Sequence, residues 1–280
     1  MMIFHYSVVV PYRDKFDLFQ KAVASIPDRE DIQIIIIDNA PLPLRENQIP
    51  ITQHAKVDYL TSSPEKGAGC ARNEGLKYVQ GAYLLFLDAD DYFTPNAFSS
   101  FDNYLGKDFD IVFFKPTSIR LSDGCQSYRH KHFVSNVEEF IASKNDKHLR
   151  YRWEVPWSKL FRTAFIKEGG FLFDEIKVSN DAWFSLMTGH NAKKITADKS
   201  VVYVVTEGAV GQSLIKTVNK ENALIRYRVS IRINNFLRSV GHYEMRIRLL
   251  GAIRIAFTKF GIGEGLRYLQ EARKNHLGIF

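Results

Sequence analysis

The chain has 280 residues, 45% of them apolar and 25% charged, with 17 Gly, 9 Pro and 2 Cys, which excludes low-complexity, collagen-like and disulfide-framework proteins. No stretch approaches the roughly 20 apolar residues that a membrane-crossing helix needs, and the strongest apolar runs, 34–37 and 83–87, are strand-sized. The formal charge of +7 is unevenly placed: residues 216–280 carry 13 Lys and Arg against 4 Asp and Glu, whereas residues 1–215 carry 25 against 27.

The start, Met1 to Tyr6, lacks the basic region of a secretory signal. Cys70 and Cys125 have no partner at zinc spacing, so a reducing cytoplasm is the expected compartment. Residues 6–10 are a β-branched run closed by Pro11 and predict a strand, followed by an amphipathic helix over 14–26. Residues 32–37 are almost wholly aliphatic and end in Asp38-Asn39, 41–50 form a Pro-containing loop, and 56–60 make another short strand. Runs apolar on both faces suit parallel strands covered by helices. A helix entered through glycines follows over 67–78, then a buried strand over 83–87, a helix over 96–105 and a strand over 110–114. This alternation predicts a doubly wound α/β sheet.

After Lys115 the pattern changes to a loop with Asp123-Gly124, a helix near 137–144, the segment Trp153-Glu154-Val155-Pro156-Trp157, and a helix over 163–167. Another helix follows Asn180, and a strand spans 200–205. From about Val218 arginines alternate with Ile, Leu and Phe at helical spacing, broken at Gly241 and at 261–265. His130 and His132 read as surface residues, because no third ligand completes a zinc site.

Ligands of an open parallel sheet collect at the carboxyl ends of its strands. Those ends carry Pro11-Tyr12-Arg13-Asp14, Asp38-Asn39 and Asp88-Ala89-Asp90-Asp91. Three aspartates in four residues repel one another in a crevice unless a cation neutralises them, and oxygen-only ligands select Mg²⁺ or Mn²⁺ with room left for phosphate. The competing reading has Asp88 and Asp91 capping the next helix and binding no metal.

The order Ser-Val-Val-Val-Pro-Tyr, Ile-Ile-Ile-Ile-Asp-Asn, Lys-Gly-Ala-Gly-Cys-Ala-Arg-Asn-Glu-Gly and Leu-Phe-Leu-Asp-Ala-Asp-Asp-Tyr-Phe-Thr-Pro resembles the family 2 glycosyltransferases, which are inverting enzymes of GT-A fold. The likeness covers residues 6–105 in register. It extends more loosely over 153–205 through Pro156-Trp157-Ser158-Lys159-Leu160-Phe161 and Asn180-Asp181-Ala182-Trp183-Phe184. It implies a Rossmann-like, mostly parallel sheet flanked by helices over 1–215, with a nucleotide-binding half (1–114) and an acceptor-binding half (115–215). A basic amphipathic helical extension would occupy 216–280.

By the same resemblance, Asp88 and Asp90 match the Asp-x-Asp motif that holds Mn²⁺ or Mg²⁺ against the donor diphosphate, with Asp91 behind them. Pro11, Tyr12 and Asp14 match the loop around base and ribose. Asp38 and Asn39 match the acids after the second strand, Asn39 replacing the usual Asp as acceptor of the uracil N3 proton. Ala89 belongs to the same donor-binding set. Arg13, Glu65 and Asn180 are further departures. Arg72 and Asn73 match an Ala-Arg-Asn signature, Arg72 reaching base or phosphates or else pairing with the 88–91 loop. Lys66 opens a segment that cradles phosphate or simply enters a helix. Asp181 matches the late acid that takes the acceptor's proton, against the plainer reading of an acid at a helix start. Trp157 is expected at the acceptor, with Trp183 in the core and Glu154, Lys159 and Glu175 at the surface.

The expected partners are a nucleotide diphosphate sugar, UDP-linked by preference, and a glycan or lipid-linked glycan acceptor of a bacterial surface polysaccharide. The basic extension either lies on the inner face of the plasma membrane or packs on the domain. The alternatives are a nucleotidyltransferase, whose glycine-rich motif is missing after the first strand, and a nucleic-acid-binding protein, whose reading motif is missing from the tail.

Overall fold

A computed structural model of the chain describes residues 4–63, 67–208 and 219–275. Its strands are β1 (Tyr6–Tyr12), β2 (Ile32–Asp38), β3 (Lys56–Thr61), β4 (Tyr83–Phe86), β5 (Tyr92–Phe93), β6 (Ile111–Arg120), β7 (Lys159–Arg162) and β8 (Ile195–Glu207). They form one sheet of order β3-β2-β1-β4-β7-β6-β8-β5. β1 pairs parallel with β2 and β4, and β2 with β3, whereas β7 runs antiparallel to both β4 and β6.

The parallel half follows directly from its residues. Every β2 side chain is buried, as is every β1 side chain but Pro11, and aliphatics fill both faces. The two polar intruders satisfy one another: Ser7 Oγ donates to Gln33 Oε1 at 2.5 Å, and Gln33 Nε2 donates to Asp58 and to the Tyr78 carbonyl. Ser7 Oγ also accepts the Gly81 N–H, tying in the turn before β4. A Cβ on Gly81 would stand 2.5 Å from the Tyr6 carbonyl carbon, so glycine is required there.

The helices are α1 (Phe16–Ala24), α2 (Gly67–Leu76), α3 (Ala97–Asp102), α4 (Lys131–Ser143), α5 (Lys147–Tyr151), α6 (Thr163–Gly169), α7 (Ala182–Asn191), α8 (Lys220–Ser239), α9 (Leu250–Phe260) and α10 (Ile262–Lys274). The fold is GT-A, with a helical extension at its C-terminal side. β6 is twice the expected length and crosses position 114, so the two halves share a strand and one hydrophobic core running from Tyr6 to Val205. Its pairing with β8 shifts register around Lys115 and Pro116, where proline offers no N–H to the ladder. His130, expected at the surface, is 8% exposed, its Nδ1 at 2.7 Å from Ser118 Oγ.

In the extension, α8 packs Val229, Ile233 and Leu237 against Tyr151, Ala182 and Leu186 of the domain. Arg232 pairs with Asp174 at 2.9 Å and lies 3.6 Å over the Trp183 ring. A second small core joins α8 to α9 and α10 through Tyr227, Ile231, Ile253 and Tyr268.

Candidate active site

Because β1, β2, β3 and β4 are parallel, the segments after them meet at one edge of the sheet. β7 runs the other way and brings its first residue, Lys159, to that edge. Asp88, Ala89 and Asp90 are all partly exposed there, and Asp91 beside them is buried.

Arg72 organises the site. From the middle of α2, 4% exposed, its Nη2 donates to Asp88 Oδ1 at 2.5 Å and its Nη1 to Asn180 Oδ1 at 3.0 Å, with the guanidinium 5.3 Å from the Phe173 ring centroid. Its Nε is buried with no hydrogen-bond partner among the described residues. Burial pulls the Arg72 pKa down, but the carboxylates of Asp88 and Asp181 more than compensate. Of the two readings for Arg72, the structure shows the pairing with the 88–91 loop.

Asp90 is pushed above the usual carboxylate range by burial and by Asp88, opposed by the Lys15 ammonium at 3.4 Å. Burial also drives Asp91 well up, together with Asp90 and Asp88. Its Oδ1 accepts the Thr206 N–H at 2.8 Å, so Asp91 ties β8 to this loop. Asp181 sits at the N-cap of α7, yet its side chain makes no cap hydrogen bond. Burial raises its pKa to about 6 against the pull of Arg72, with Asp88 and Glu154 adding repulsion. A carboxyl with a pKa near neutrality in such a place is suited to taking up a proton.

Glycine brings the two sides together. A Cβ on Gly69 would stand 2.1 Å from the Asp174 carbonyl oxygen and 3.0 Å from Asn180 Cβ, so α2 can approach the 174–180 segment only with glycine there. Gly67, at φ +72°, faces the Ile176 carbonyl. These glycines therefore serve helix entry and close contact, while Lys66 lies outside the described residues. Lys15, Ser158 and Ser179 hold φ of 62°, 56° and 56° without being glycine, and each borders a site segment.

Several expected ligands are placed otherwise. Asp38 is 1% exposed and its oxygens are filled by the Ala40 and Leu44 N–H groups and the Tyr59 hydroxyl, so it shapes the loop after β2. Asn73 exchanges two hydrogen bonds with the Phe173 backbone, at 3.0 and 2.8 Å, and staples α2 to the 173 segment. Trp157 is corrected from acceptor platform to core: it is 2% exposed and stacked on Tyr203 at 5.2 Å, which leaves no open face. Tyr203 in turn accepts the Asp88 N–H, so Trp157 supports the aspartate loop from below. Trp183, expected in the core, is the less buried of the two and is covered by Arg232. Lys159, expected at the surface, is 1% exposed.

Asn39 donates its amide to the Ser63 carbonyl at 2.5 Å, which turns its oxygen the other way. Pro11 is partly exposed, Tyr12 is buried against Phe19 and Asp14 is exposed. Sequence reasoning missed Lys15 altogether; its signal was a basic residue directly after Asp14 at the end of the β1 loop. A cavity of about 400 Å³ between α2 and α6, lined by Leu76, Val79, Leu84, Ile166, Phe171 and Leu172, lies apart from the aspartates.

Residues 7–169 match the sequence profile of glycosyl transferase family 2. An uncharacterized glycosyltransferase, EpsJ of Bacillus subtilis, is 26% identical over 211 residues, covering 72% of this chain and 60% of EpsJ. A poly(ribitol-phosphate) beta-glucosyltransferase of Bacillus spizizenii is 26% identical over 213 residues, 71% of this chain and 32% of that protein. The chain thus spans less than two thirds of either relative. Among solved structures, TarS residues 1–349 of S. aureus, crystallised with UDP-GlcNAc, superposes with a TM-score of 0.62 at 18% identity, over 97% of this chain and 72% of that one.

Proposed function

The chain belongs to glycosyl transferase family 2, and from that premise we propose that it moves a sugar, with inversion, from a nucleotide diphosphate sugar to a hydroxyl of a bacterial cell-envelope polysaccharide or its lipid-linked precursor. The observation that carries this reading is the single buried guanidinium of Arg72, which joins Asp88 at the end of β4 to Asn180, next to Asp181. One side offers carboxylates for the donor and the other a carboxyl poised to accept a proton.

The residues fit a divalent cation. Asp88 and Asp90 each keep an oxygen outside their contacts with Arg72 and Lys15, and Asp90 is held above its usual pKa by burial and by the Asp88 charge, a repulsion that a cation would relieve. Among the described residues no group of three His, Cys, Asp or Glu comes together as a metal site. Mg²⁺ or Mn²⁺ would need only one or two of these carboxylates plus substrate phosphates. When bound, the ion would neutralise charge on the departing diphosphate.

In the transfer, Asp181 takes the proton from the acceptor hydroxyl as its oxygen bonds to the anomeric carbon. The bond from that carbon to the phosphate oxygen breaks on the opposite face, and its electron pair leaves with the nucleoside diphosphate. The Asn39 carbonyl oxygen is the group for the N3 proton of uracil, which favours UDP, while Pro11, Tyr12 and Asp14 line the approach to the base.

A lipid-linked acceptor would suit a peripheral position at the membrane's inner face. No helix of the described residues is long and apolar enough to cross a membrane. The proposal is tested by following release of nucleoside diphosphate from a panel of UDP-, GDP- and dTDP-sugars with Mn²⁺ and a polyol-phosphate or lipid-linked acceptor. Transfer with an inverted anomeric centre, lost in Asp181→Asn and in chelator, is expected. Retention of configuration, or full turnover by Asp181→Asn, would end it.

A further inference from the structure

The helical extension reaches the segment that carries Asn180 and Asp181 through one side chain. On α8, Val229, Arg232, Ile233, Phe236 and Leu237 recur at helical spacing, so Arg232 lies at the edge of the stripe that packs on the domain. Its Nη1 donates to both Asp174 oxygens, at 2.9 and 3.1 Å. Its guanidinium lies 3.6 Å over the Trp183 ring, which Phe236 meets edge-on at 5.7 Å.

Asp174 and Trp183 bracket the site segment. The chain from Asp174 to Asp181 has no strand or helix of its own, and Ser179 within it holds φ of 56°. The Asp174 N–H closes the segment on itself by donating to the Asn180 carbonyl at 3.0 Å, and Asn180 Oδ1 accepts from Arg72. On one side the Asp174 carbonyl rests against Gly69 of α2, and on the other the Asp174 carboxylate is taken by Arg232. A stretch with so few backbone ties keeps a reacting group in place only through its neighbours. We propose that Arg232 is a positioning residue for the transfer: by gripping Asp174 and Trp183 at once, it seats the 174–183 segment on α2 and so fixes where the Asp181 carboxyl stands. This rests on Asp181 being the base, and it makes the extension a working part of the site.

The test reads the segment first without turnover. In full-length Arg232→Met, hydrogen exchange at the Asp174 amide should quicken about tenfold. The melting temperature should stay within about 3 °C of wild type, because the pair is half-exposed. With a donor that supports transfer, kcat should fall about tenfold or more while the donor KM changes by less than about twofold. Arg232→Lys restores the charge opposite Asp174 and should recover most of the amide protection and of kcat. Lys177→Met removes the exposed 2.8 Å pair that ties the same segment to Glu221 of α8, and should leave both readouts unchanged. If Arg232→Met does not fold, Asp174→Asn, which keeps the shape and removes the charge, reads the same changes. Unaltered Asp174 exchange in the folded variant, faster exchange with wild-type kcat, or an equal loss in Lys177→Met overturns the proposal. Asp181→Asn is scored in parallel: full turnover there removes the base and leaves the exchange result standing, so the two failures are distinguishable.

Discussion

Replacing Arg72 by Ala takes from Asp88 its hydrogen-bond partner and from Asp181, whose charge burial already disfavours, the guanidinium that offsets it, so both fold and activity should suffer. Breaking a buried, hydrogen-bonded pair of this kind costs about 3 kcal/mol or more. A clear fall in the urea midpoint is expected, together with loss of transfer. Arg72→Lys keeps the charge but cannot span Asp88 and Asn180 at once, so it should recover stability better than rate. Equal recovery of both would show that the fork is dispensable.

Asp181 makes the opposite trade. Its folded pKa is raised from the ordinary aspartate value of 3.8 to about 6, so its protonated form is the one that folding favours. The stability it contributes is fully present below about pH 4 and is lost as pH rises through about 6, a difference of about 3 kcal/mol by neutral pH. Asp181→Asn should therefore be inactive yet more stable than wild type at pH 7.5, with the advantage gone at pH 4. Denaturation at both values checks this, and a destabilised variant at pH 7.5 would contradict it. The wild-type kcat/KM should fall below about pH 6 as the base becomes protonated.

At this scale the sequence was legible where chemistry is carried by a run, and opaque where it depends on partners. Asp88-Ala89-Asp90 after a buried strand declares itself. Asp38, Asn73 and Trp157 occupy family positions, but whether each faces a ligand or its own backbone is decided by contacts with Leu44, Phe173 and Tyr203, up to 100 residues away. Lys159 is the reverse case, a lysine within Trp157-Ser158-Lys159-Leu160-Phe161 that belongs to a strand apolar on both sides.

At the scale of elements, the approach of α2 to the 174–180 segment is the joint on which the site depends. Gly69→Ala would drive a methyl into the Asp174 backbone, which cannot swing aside as a side chain could. The helix must retreat, drawing Arg72 from Asn180 while leaving Asp88 within reach. Transfer should fall at least tenfold while donor binding, read by calorimetry with UDP and Mn²⁺, changes little. Wild-type turnover in Gly69→Ala would mean that the two sides need not touch. The missed elements are short for related reasons: β5 is two residues long and β7 four, so neither carries enough alternation to register, and both exist because β8, β4 and β6 offer them edges.

For the whole molecule, the excess of positive charge lies in an extension whose inner apolar stripe is already used. α8 spends Val229, Ile233 and Leu237 on the domain, and the second core consumes Ile253 and Tyr268. What remains outside is Leu250 at 47% exposure, Ile255 at 40%, Ile262 at 73% and Leu266 at 50%, on helices that also expose Arg254, Lys259, Arg267 and Arg273. Glu264 and Glu271 pair with Lys220 and Arg228 and also reach Arg267, at 3.7 and 3.9 Å, so they do little to offset Arg254, Lys259 and Arg273. Aliphatics set among unspent basic groups are matched by an anionic lipid surface, where each cation contributes about 1 kcal/mol and salt screens the attraction. Phosphatidylglycerol vesicles should therefore retain the protein in flotation at low ionic strength and release it as NaCl rises toward about 0.5 M, while phosphatidylcholine vesicles retain none. Ile262→Asp with Leu266→Asp should weaken retention without altering the melting temperature by more than a degree or so, because neither side chain is buried. Undiminished binding by that double variant, or equal binding to neutral vesicles, would locate any membrane contact elsewhere on the molecule.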